Sequence, residues 1–426
     1  MLIQFRVENH RSLRDEQMLS MVAADLGDPG DARLLRRPGL PEALLPALAL
    51  YGANASGKSN VLRALLFMRE AVRDSHRLWE PESGTPQEPF ALSSKATEPS
   101  LYEVDILVAG IRHQYGFVLS ATRIEEEWLY AWSQGEKQIL FEREGDNFEF
   151  GEHLPGENET IRGLTRANSL FLSAAAQNNH EAIMPIFGWF RASRFEFQRG
   201  LTYAMPREQV TVLGNLFSLE SQLSLFPDDE EAQRDREAIV RLLRAADVGI
   251  LDVKVVIRGP AGRSGRQPFE VLFRHETEDL DKAWLPLQAE SAGTITLLGI
   301  AARLVGVLRL GSLLCIDELE ASLHPTLALE LVRLFNDPEQ NPNGAQLVFT
   351  THDTNLLGNV VGEPPLRRDQ IWFTEKDKAG ATHLYPLTDF HPRTQENLER
   401  GYLQGRYGAV PFLGRLAPLL GDQEET

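Results

Sequence analysis

Gly52-Ala-Asn-Ala-Ser-Gly-Lys58-Ser59 is the stretch from which the architecture of this chain can be argued. It fits in full the pattern of a glycine, four variable positions, Gly-Lys and a hydroxyl residue. In loops of this pattern, backbone N–H groups and the lysine hold phosphate oxygens, and the hydroxyl ligates Mg²⁺. We therefore expect ATP and Mg²⁺ to bind here, with Ser59 as a metal ligand. The expected nucleotide contacts in and beside the loop are Gly52, Asn54, Ala55, Ser56, Gly57, Lys58, Ser59 and Asn60.

The residues on either side of this loop predict a strand before it and a helix after it. Residues 45–51 are apolar throughout, which is typical of a strand buried inside a sheet. From residue 60 to residue 73, apolar side chains recur at helical spacing. A helix that starts at the loop directs its positive end at the phosphates. The alternative, a Gly-rich turn without a ligand, is disfavoured by these flanks.

A second apolar run, residues 312–316, ends in two acids, Asp317 and Glu318. A strand with this ending is typical of sites in which an aspartate holds Mg²⁺ and a glutamate orients the attacking water. We expect Asp317 to share the metal with Ser59, and Glu318 to act as the catalytic base. The alternative is a charged strand exit without a catalytic role.

Two further motifs flank this strand in the sequence. Ser291 and Gly293 start a long apolar helix that Gly311 closes. A hydroxyl and free N–H groups at a helix start attract anions, so we expect both residues to contact the nucleotide, although an ordinary Ser cap is the alternative. The segment Gln346-Leu-Val-Phe-Thr-Thr351 is interpreted as an apolar strand with a polar exit that carries His352. We expect His352 to bond the γ-phosphate; a capping histidine is the alternative.

The remaining sequence suggests three parts and an α/β fold. Short alternating runs between residues 100 and 150 predict an antiparallel sheet. An acidic stretch, residues 227–231, precedes a helical pattern and indicates a helical insertion over residues 199–250. We thus expect a first lobe at 1–198 with the phosphate loop and the antiparallel subdomain. A second lobe at 251–426 would carry the Ser291 turn, the carboxylates and His352.

Composition limits where the chain works and what it contacts. A formal net charge of −18 opposes general attraction to nucleic acid, so DNA or RNA contact would need a local basic patch or a partner. We find no apolar run of the roughly 18 residues that span a membrane. The start of the chain lacks a signal-peptide pattern, which predicts a cytoplasmic location. The single cysteine, Cys315, excludes an internal disulfide.

Phosphate loop, Ser-Ala-Gly-Thr turn, Asp-Glu strand and His-ended strand occur in an order that resembles the ABC-type ATPase heads of the SMC, recombination-repair and OLD families. Three further motifs resemble the RloA-type AAA-family ATP-binding proteins of bacteria over nearly the whole chain. They are Phe5-Arg-Val-Glu-Asn9-His-Arg11-Ser12-Leu, Leu323-His-Pro325 and Tyr402-Leu-Gln-Gly-Arg-Tyr-Gly-Ala-Val-Pro411. The resemblance implies the P-loop NTPase fold of the ABC-ATPase head type and hydrolysis of ATP to ADP and phosphate.

The resemblance also implies further site residues and an assembly. In such heads a glutamine after the antiparallel sheet contacts the metal and the attacking water; Gln177 matches it, with Asn178 or Asn179 as alternatives. Arg11 of the opening motif is implied as a nucleotide contact. Two heads would trap two ATP molecules in a homodimer, and higher oligomers are compatible with this. The Ser-Ala-Gly-Thr turn departs from the Leu-Ser-Gly-Gly form found in transporters.

The expected role is an ATP-driven head that gates a partner. OLD-family nucleases carry a Toprim domain after the ATPase, but residues 353–426 are too few for one, and we interpret Asp279 and Asp281 as a solvated turn. RloA-type proteins imply a separately encoded Toprim-like nuclease, RloB, in restriction or phage defence. The alternatives are a non-hydrolysing ATP-bound scaffold, disfavoured by Glu318, and an SMC-like DNA-repair ATPase, disfavoured because long heptad arms are missing.

Overall fold

The structure is a computed structural model. It describes residues 1–28, 30–133, 135–197, 230–245, 249–257, 269–277, 283–321, 323–358, 364–393 and 396–410. Four sequence interpretations fall wholly or partly outside these ranges. They are the solvated turn at Asp279 and Asp281, most of the acidic stretch 227–231, residues 199–229 and 246–248 of the helical insertion, and Pro411 of the closing motif.

The described strands and helices follow in chain order. The strands are β1 (Leu2–Glu8), β2 (Gln17–Ser20), β3 (Ala47–Gly52), β4 (Ser100–Val108), β5 (Ile111–Leu119), β6 (Ile124–Trp132), β7 (Gln138–Glu144), β8 (Asn147–Phe150), β9 (Arg194–Glu196), β10 (Ile250–Ile257), β11 (Phe269–His275), β12 (Trp284–Pro286), β13 (Leu313–Ile316), β14 (Gln346–Thr350), β15 (Ile371–Lys376) and β16 (Thr382–Pro386). The helices are α1 (Lys58–Leu78), α2 (Asn158–Leu164), α3 (Phe171–Gln177), α4 (Met184–Ala192), α5 (Glu230–Ala245), α6 (Ala292–Leu310), α7 (Pro325–Asn336) and α8 (Leu398–Leu403).

A mixed six-stranded sheet carries the phosphate loop. Its order is β16-β15-β3-β14-β13-β9, and all its strands are parallel except β16. Ligands of open parallel sheets bind beyond the carboxyl ends of the strands. This topology therefore brings the ends of β3, β13 and β14 to one edge, although they are far apart in the sequence.

Strand β3 is apolar throughout because it is buried on both faces. Leu48 and Leu50 pack into a core shared with α1, α3, α4 and the antiparallel sheet. Ala47, Ala49 and Tyr51 pack on the opposite face into a core with α6 and α7. Successive strand side chains point to opposite faces, so two cores need a continuous apolar run.

The antiparallel subdomain predicted for residues 100–150 is present and larger than expected. It is a seven-stranded sheet of order β2-β1-β4-β5-β6-β7-β8, in which all neighbours are antiparallel. Tyr102, Val104 and Ile106 alternate toward the core, with each of them 0% exposed. The opening strand β1 joins this sheet through β4, a pairing that no local pattern indicated. The predicted α/β fold class with an antiparallel β subdomain is confirmed.

A third, small sheet of order β10-β11-β12 packs with α5 and the first half of α6 around its own apolar cluster. Helix α5 lies inside the predicted insertion, and β10 and β11 match the two strands predicted after it. The mixed sheet takes β3 and β9 from the first predicted lobe and β13 to β16 from the second. The boundaries at 1–198, 199–250 and 251–426 stay a prediction.

Helix α6 is apolar along most of its length, with Arg303 and Arg309 interrupting the apolar residues. Gly293–Leu310 is long and apolar enough to cross a membrane, by length and composition alone. Core helices of folded domains pass the same test, and α6 packs through Leu298 and Ala301 into the small-sheet cluster. Leu304 of the same helix packs against the mixed sheet. The apolar length of α6 is therefore used, at least in part, in packing.

The last described segment packs against β3, the strand that leads into the phosphate loop. Tyr402 of α8 meets Tyr51 edge-on, with ring centroids 5.5 Å apart. The Asn397 side chain caps α8 by accepting from a backbone N–H of the first turn. Arg406 pairs with Glu396 at 2.5 Å. The closing motif thus supports the strand that leads into the phosphate loop.

Candidate functional site

The phosphate loop requires glycine at two positions. Gly52 and Gly57 have φ angles of 159° and 106°, so Gly57 lies in the left-handed region. A Cβ atom at Gly57 would lie 2.1 Å from Oγ1 of Thr382. At Gly52 it would lie 2.6 Å from the carbonyl oxygen of Thr374. Because β15 and β16 close the back of the loop, neither glycine can be replaced without moving backbone or a packed side chain.

The Lys58 ammonium lies within the loop. Its Nζ donates to the carbonyl oxygens of Gly52 at 2.8 Å and Ala53 at 3.0 Å. The residue is only 6% exposed. Burial lowers the pKa of Lys58 to about 8, and the carboxylates of Asp317 and Glu318 offset part of this shift. A polyphosphate would supply the missing negative charge.

The structure joins Ser59 to Asp317, the two residues expected to share one metal ion. The Ser59 hydroxyl donates to Oδ1 of Asp317 at 2.8 Å. The hydroxyl of Thr350, at the end of β14, donates to the same oxygen at 2.7 Å. Asp317 is 8% exposed, so its carboxylate is fixed by the ends of three elements. This is an oxygen-donor arrangement that suits Mg²⁺.

The side chain of Glu318 is exposed, whereas its backbone is fixed by a hydrogen bond. Its φ angle is 53°, in the left-handed region that a residue with a side chain rarely adopts. Its N–H donates to Oγ1 of Thr350 at 2.7 Å. Strained backbone of this kind persists only where the surroundings fix it, and Thr350 provides such a contact. The two neighbouring carboxylates therefore differ in environment. Asp317 is buried and accepts two hydrogen bonds, whereas the Glu318 side chain is exposed.

His352 lies at the exit of β14, and Glu320 connects it to the carboxylate turn. One oxygen of Glu320 accepts from the His352 N–H at 2.7 Å, and the other accepts from the Thr351 hydroxyl at 2.7 Å. Burial lowers the pKa of the His352 ring, and the Lys58 charge lowers it further. The neutral ring has a hydrogen-bond donor for a phosphate oxygen.

The opening motif packs against the first turn of α1. The Asn60 side chain donates to the Ser12 hydroxyl at 2.7 Å, and Thr382 donates to the same hydroxyl at 2.8 Å. Arg11 has a φ of 51° and its Nε donates to a carboxylate oxygen of Glu88 at 2.5 Å. The structure thus places the segment of Arg11 beside the loop, with the guanidinium paired to Glu88.

Within the loop, the three central positions differ in exposure. Asn54 and Ala55 are exposed, and Ala55 has a φ of 63°. Ser56 is 4% exposed, and its hydroxyl lies 2.6 Å from that of Thr374 on β15. The side chain of Ser56 therefore ties the loop to the sheet, and only its backbone remains for a nucleotide.

Ser291 and Gly293 lie away from the phosphate loop of their own chain. Ser291 caps α6, with its hydroxyl accepting from the N–H of Thr294 at 3.1 Å. Arg303 of the same helix contacts Glu196, whose carbonyl accepts from the N–H of Asp317. Twelve residues separate Arg303 from Ser291, which is about 18 Å of helix. Among the described residues, no hydrogen bond or ion pair joins the Ser291 turn to the phosphate loop of its own chain.

The structure places Gln177 at a distance from the phosphate loop of its own chain, and its expected role stays a prediction. Gln177 is exposed at the end of α3, and Ser173 of α3 contacts the N–H of His76 near the end of α1. From Lys58 to His76 there is about 27 Å of helix, whereas Ser173 and Gln177 are separated by only about 6 Å. Gln177 therefore lies far from the metal ligands of its own chain. The alternatives Asn178 and Asn179 follow directly and share this location.

Several residues that position the site were not predicted: Thr350, Glu320, Thr374 and Thr382. Thr350 lies two residues before His352, and Glu320 lies two residues after Glu318. Their polar side chains at the ends of two apolar strands could have indicated that they belong to the site. Thr374 and Thr382 lie on strands more than 300 residues from the loop in sequence, and nothing local indicated them.

A protein family and several solved structures are similar to this chain. A family model described as "AAA domain, putative AbiEii toxin, Type IV TA system" matches residues 48–358. No curated protein matches the chain. Similar solved structures include an SMC head domain from Thermotoga maritima, with 13% identity, TM-score 0.40, and 90% of this chain and 98% of that chain covered.

Two further solved structures are heads bound to a partner. An SmcHead bound to the C-winged helix domain of ScpA has 14% identity and a TM-score of 0.43, covering 90% of this chain and 96% of that chain. An Smc head domain with an extended coiled coil, bound to the C-terminal domain of ScpA and derived from Pyrococcus furiosus, has 12% identity and a TM-score of 0.40. It covers 92% of this chain and 97% of that chain.

Proposed function

Since the chain belongs to the family described as "AAA domain, putative AbiEii toxin, Type IV TA system", we propose that it binds ATP with Mg²⁺ and hydrolyses it to ADP and phosphate. The observation that carries the proposal is the hydrogen bond between Ser59 and Asp317, beside the buried Lys58. It unites the loop and the carboxylate strand in one site. Loop amides and Lys58 would hold the phosphate oxygens.

The residues present fit Mg²⁺. Ser59 and Asp317 offer hard oxygen ligands, and in the described ranges no group of three or more His, Cys, Asp and Glu side chains could hold a metal ion. Mg²⁺ usually takes one or two protein ligands and completes its shell with phosphates and water. When bound, it would neutralise charge on the phosphates.

The positions of Glu318 and His352 support roles for both residues in hydrolysis. The exposed carboxylate of Glu318 would accept a proton from water as the water oxygen bonds to the γ-phosphorus. The bond from the γ-phosphorus to the bridging oxygen then breaks, releasing ADP. His352 would hydrogen-bond the γ-phosphate and lose that partner after release. Glu320 fixes the backbone of His352 relative to the carboxylate turn.

A second copy of the chain would complete each site. The described Ser291 turn makes no hydrogen bond with the phosphate loop of its own chain, and in this proposal Ser291 and Gly293 meet a nucleotide held by another copy. An isologous arrangement makes two equal sites around one two-fold axis. The proposed assembly is therefore a homodimer that closes on two ATP molecules and reopens after hydrolysis.

The same proposal includes a separate effector. Opening and closing motifs that resemble RloA-type proteins support a Toprim-like nuclease of the RloB type as partner, in a bacterial restriction or phage-defence system and a cytoplasmic setting. The family description likewise names a toxin–antitoxin system. Closure and reopening of the heads would gate this partner.

Calorimetric titration with ATP tests the central claim. Wild-type protein should bind ATP in the presence of Mg²⁺, and Lys58→Ala should abolish binding, because the cation that holds the outer phosphates is lost. Lys137→Ala, at an exposed lysine between β6 and β7 of the antiparallel sheet, is the matched control and should bind as wild type does. Equal affinity of Lys58→Ala and wild type would refute the assignment of the loop.

A further inference from the structure

Glu290, the residue before Ser291, has its carboxylate turned into the protein. Its side chain is 7% exposed, and Nε2 of His275 lies 2.6 Å from its Oε1. An ionised carboxylate can only accept hydrogen bonds, so Nε2 of His275 is the donor. This bond joins the end of β11 to the residue that leads into the cap of α6.

We infer that His275 is a positioning residue of the Ser291 turn, holding the Glu290 carboxylate away from the place where the turn meets a γ-phosphate. The inference rests on the proposed function, in which Ser291 acts on a nucleotide of a second copy. His275 touches neither the nucleotide nor Ser291 in this account. It acts through Glu290.

The electrostatics of a helix start explain why such a restraint is needed. Free N–H groups give the start of α6 a partial positive charge that attracts either a phosphate or a nearby carboxylate. Glu290 is adjacent to Ser291, so a released Glu290 side chain could occupy this position and repel the phosphate. The hydrogen bond to His275 directs that charge inward.

The small sheet holds His275 in place. Its backbone N–H donates to the carbonyl of Ala283 at 2.8 Å, and it pairs across the sheet with Ile250. Val253, Val271 and Phe273 of this sheet pack with α5 and with α6 in a cluster separate from the two cores around the mixed sheet. His275 and Glu290 are therefore held beside the start of α6 by the small sheet, whereas Lys58 and Ser59 follow a strand of the mixed sheet.

The first test separates positioning from nucleotide binding. His275→Ala should lower ATP turnover about tenfold or more, the order expected when a hydrogen bond to a charged group is lost. The affinity of the same variant for ATP should stay at the wild-type value, because Lys58 and Ser59 are unchanged. His153→Ala, at an exposed histidine, is the control and should turn over ATP as wild type does. Wild-type turnover in His275→Ala would overturn the inference.

A second variant tests whether the charge of Glu290 causes the loss of turnover. Glu290→Gln added to His275→Ala removes the charge that the histidine restrains, so the double variant should regain most of the lost turnover. If the loss in His275→Ala came from general disorder of the small sheet, removal of the charge would not restore activity. A double variant as slow as His275→Ala, or slower, would overturn the charge argument.

Dimers mixed from two variants test which of the two chains His275 acts from in the composite site. His275→Ala mixed with Lys58→Ala should regain turnover, because both defects fall in one site and the other site is intact. His275→Ala mixed with Ser291→Arg should stay slow, because each site then carries one defect. The reverse pattern would overturn the inference.

The control mixture is Lys58→Ala with Ser291→Arg. If this mixture regains no turnover, the proposed two-chain site itself fails. If it regains turnover while His275→Ala with Lys58→Ala does not, only the role of His275 fails.

Discussion

The hydroxyl of Ser59 donates to Oδ1 of Asp317 at 2.8 Å, although 258 residues separate the two in the chain. Ser59 lies in the first turn of α1, directly after the phosphate loop and β3. Asp317 directly follows β13, which is separated from β3 by β14 in the same sheet. Oxygen atoms of both segments therefore face one point, where they could serve together as ligands of one metal ion.

The first prediction concerns protons taken up on ATP binding. Burial lowers the pKa of Lys58 to about 8 in the free protein, and bound phosphates favour the charged form and raise that pKa again. Above pH 8, binding should take up a proton, and affinity should fall by up to about tenfold per pH unit. Calorimetry at pH 9 in two buffers of different ionisation enthalpy measures the uptake.

Lys58→Arg is the control for this prediction, since a guanidinium keeps its charge at pH 9. It should bind ATP without proton uptake, even if more weakly. The same affinity for wild type at pH 7 and pH 9, with no uptake, would show that Lys58 is already charged in the free protein.

The second prediction separates binding from chemistry at Glu318. Glu318→Gln keeps the shape of the side chain but cannot accept a proton, so turnover should fall by about 10² to 10⁴ while ATP affinity is kept. An ATP-bound dimer should then accumulate and be visible by size-exclusion chromatography with light scattering. A phosphate-release rate equal to that of wild type would exclude Glu318 as the base.

The third prediction concerns Thr350, whose hydroxyl bonds both Asp317 and the backbone of Glu318. Thr350→Val has nearly the same shape without the hydroxyl, and it should lower turnover about ten- to a hundredfold because Glu318 loses the support of its left-handed backbone. Thr350→Ser keeps the hydroxyl and should stay close to wild type. Equal rates for the valine and serine variants would argue against this role.

The fourth prediction concerns the composite site. Lys58→Ala and Ser291→Arg should each be inactive as homodimers, and their mixture should regain part of the activity, at most about half per dimer, because one of two sites is intact. Native mass spectrometry confirms that heterodimers are present. Full activity of Ser291→Arg alone would return Ser291 to the role of a helix cap.

The fifth prediction follows from the location of Gln177. Since it lies far from Ser59 and Asp317, Gln177→Ala should hydrolyse ATP at nearly the wild-type rate. Substitution of Asn178 should behave in the same way. A loss of turnover with unchanged melting temperature would show that this end of α3 reaches a nucleotide, for example that of a second copy.

Some features of this protein are local in the sequence and could be predicted from it. The residues of the phosphate loop, and the two acids at the end of an apolar strand, must be contiguous because each motif is one turn or one strand end. Their chemistry is carried by backbone N–H groups and adjacent side chains. The α/β class followed from the same apolar strands and the alternating runs after residue 100.

Other features depend on pairings between distant segments. The residue pattern of β1 predicts a strand but not its partner, because the partner is set by which sheet buries its apolar face. Gln177 follows the antiparallel sheet in the chain as expected, yet α3 packs at the far end of α1. Order along the chain did not reveal this, since a helix of 21 residues separates its two ends by about 30 Å.

The sequence by itself determined which chemical groups stand at the proposed nucleotide site, because Lys58, Ser59, Asp317 and Glu318 belong to short contiguous motifs. Only the tertiary structure decided how they are held and oriented. Thr350 fixes two carboxylate residues, Glu320 fixes His352, and His275 turns Glu290 inward through contacts across strands and helices. Such contacts form only when the sheets and helices pack, since their free energy depends on distances that the chain reaches only in the folded state.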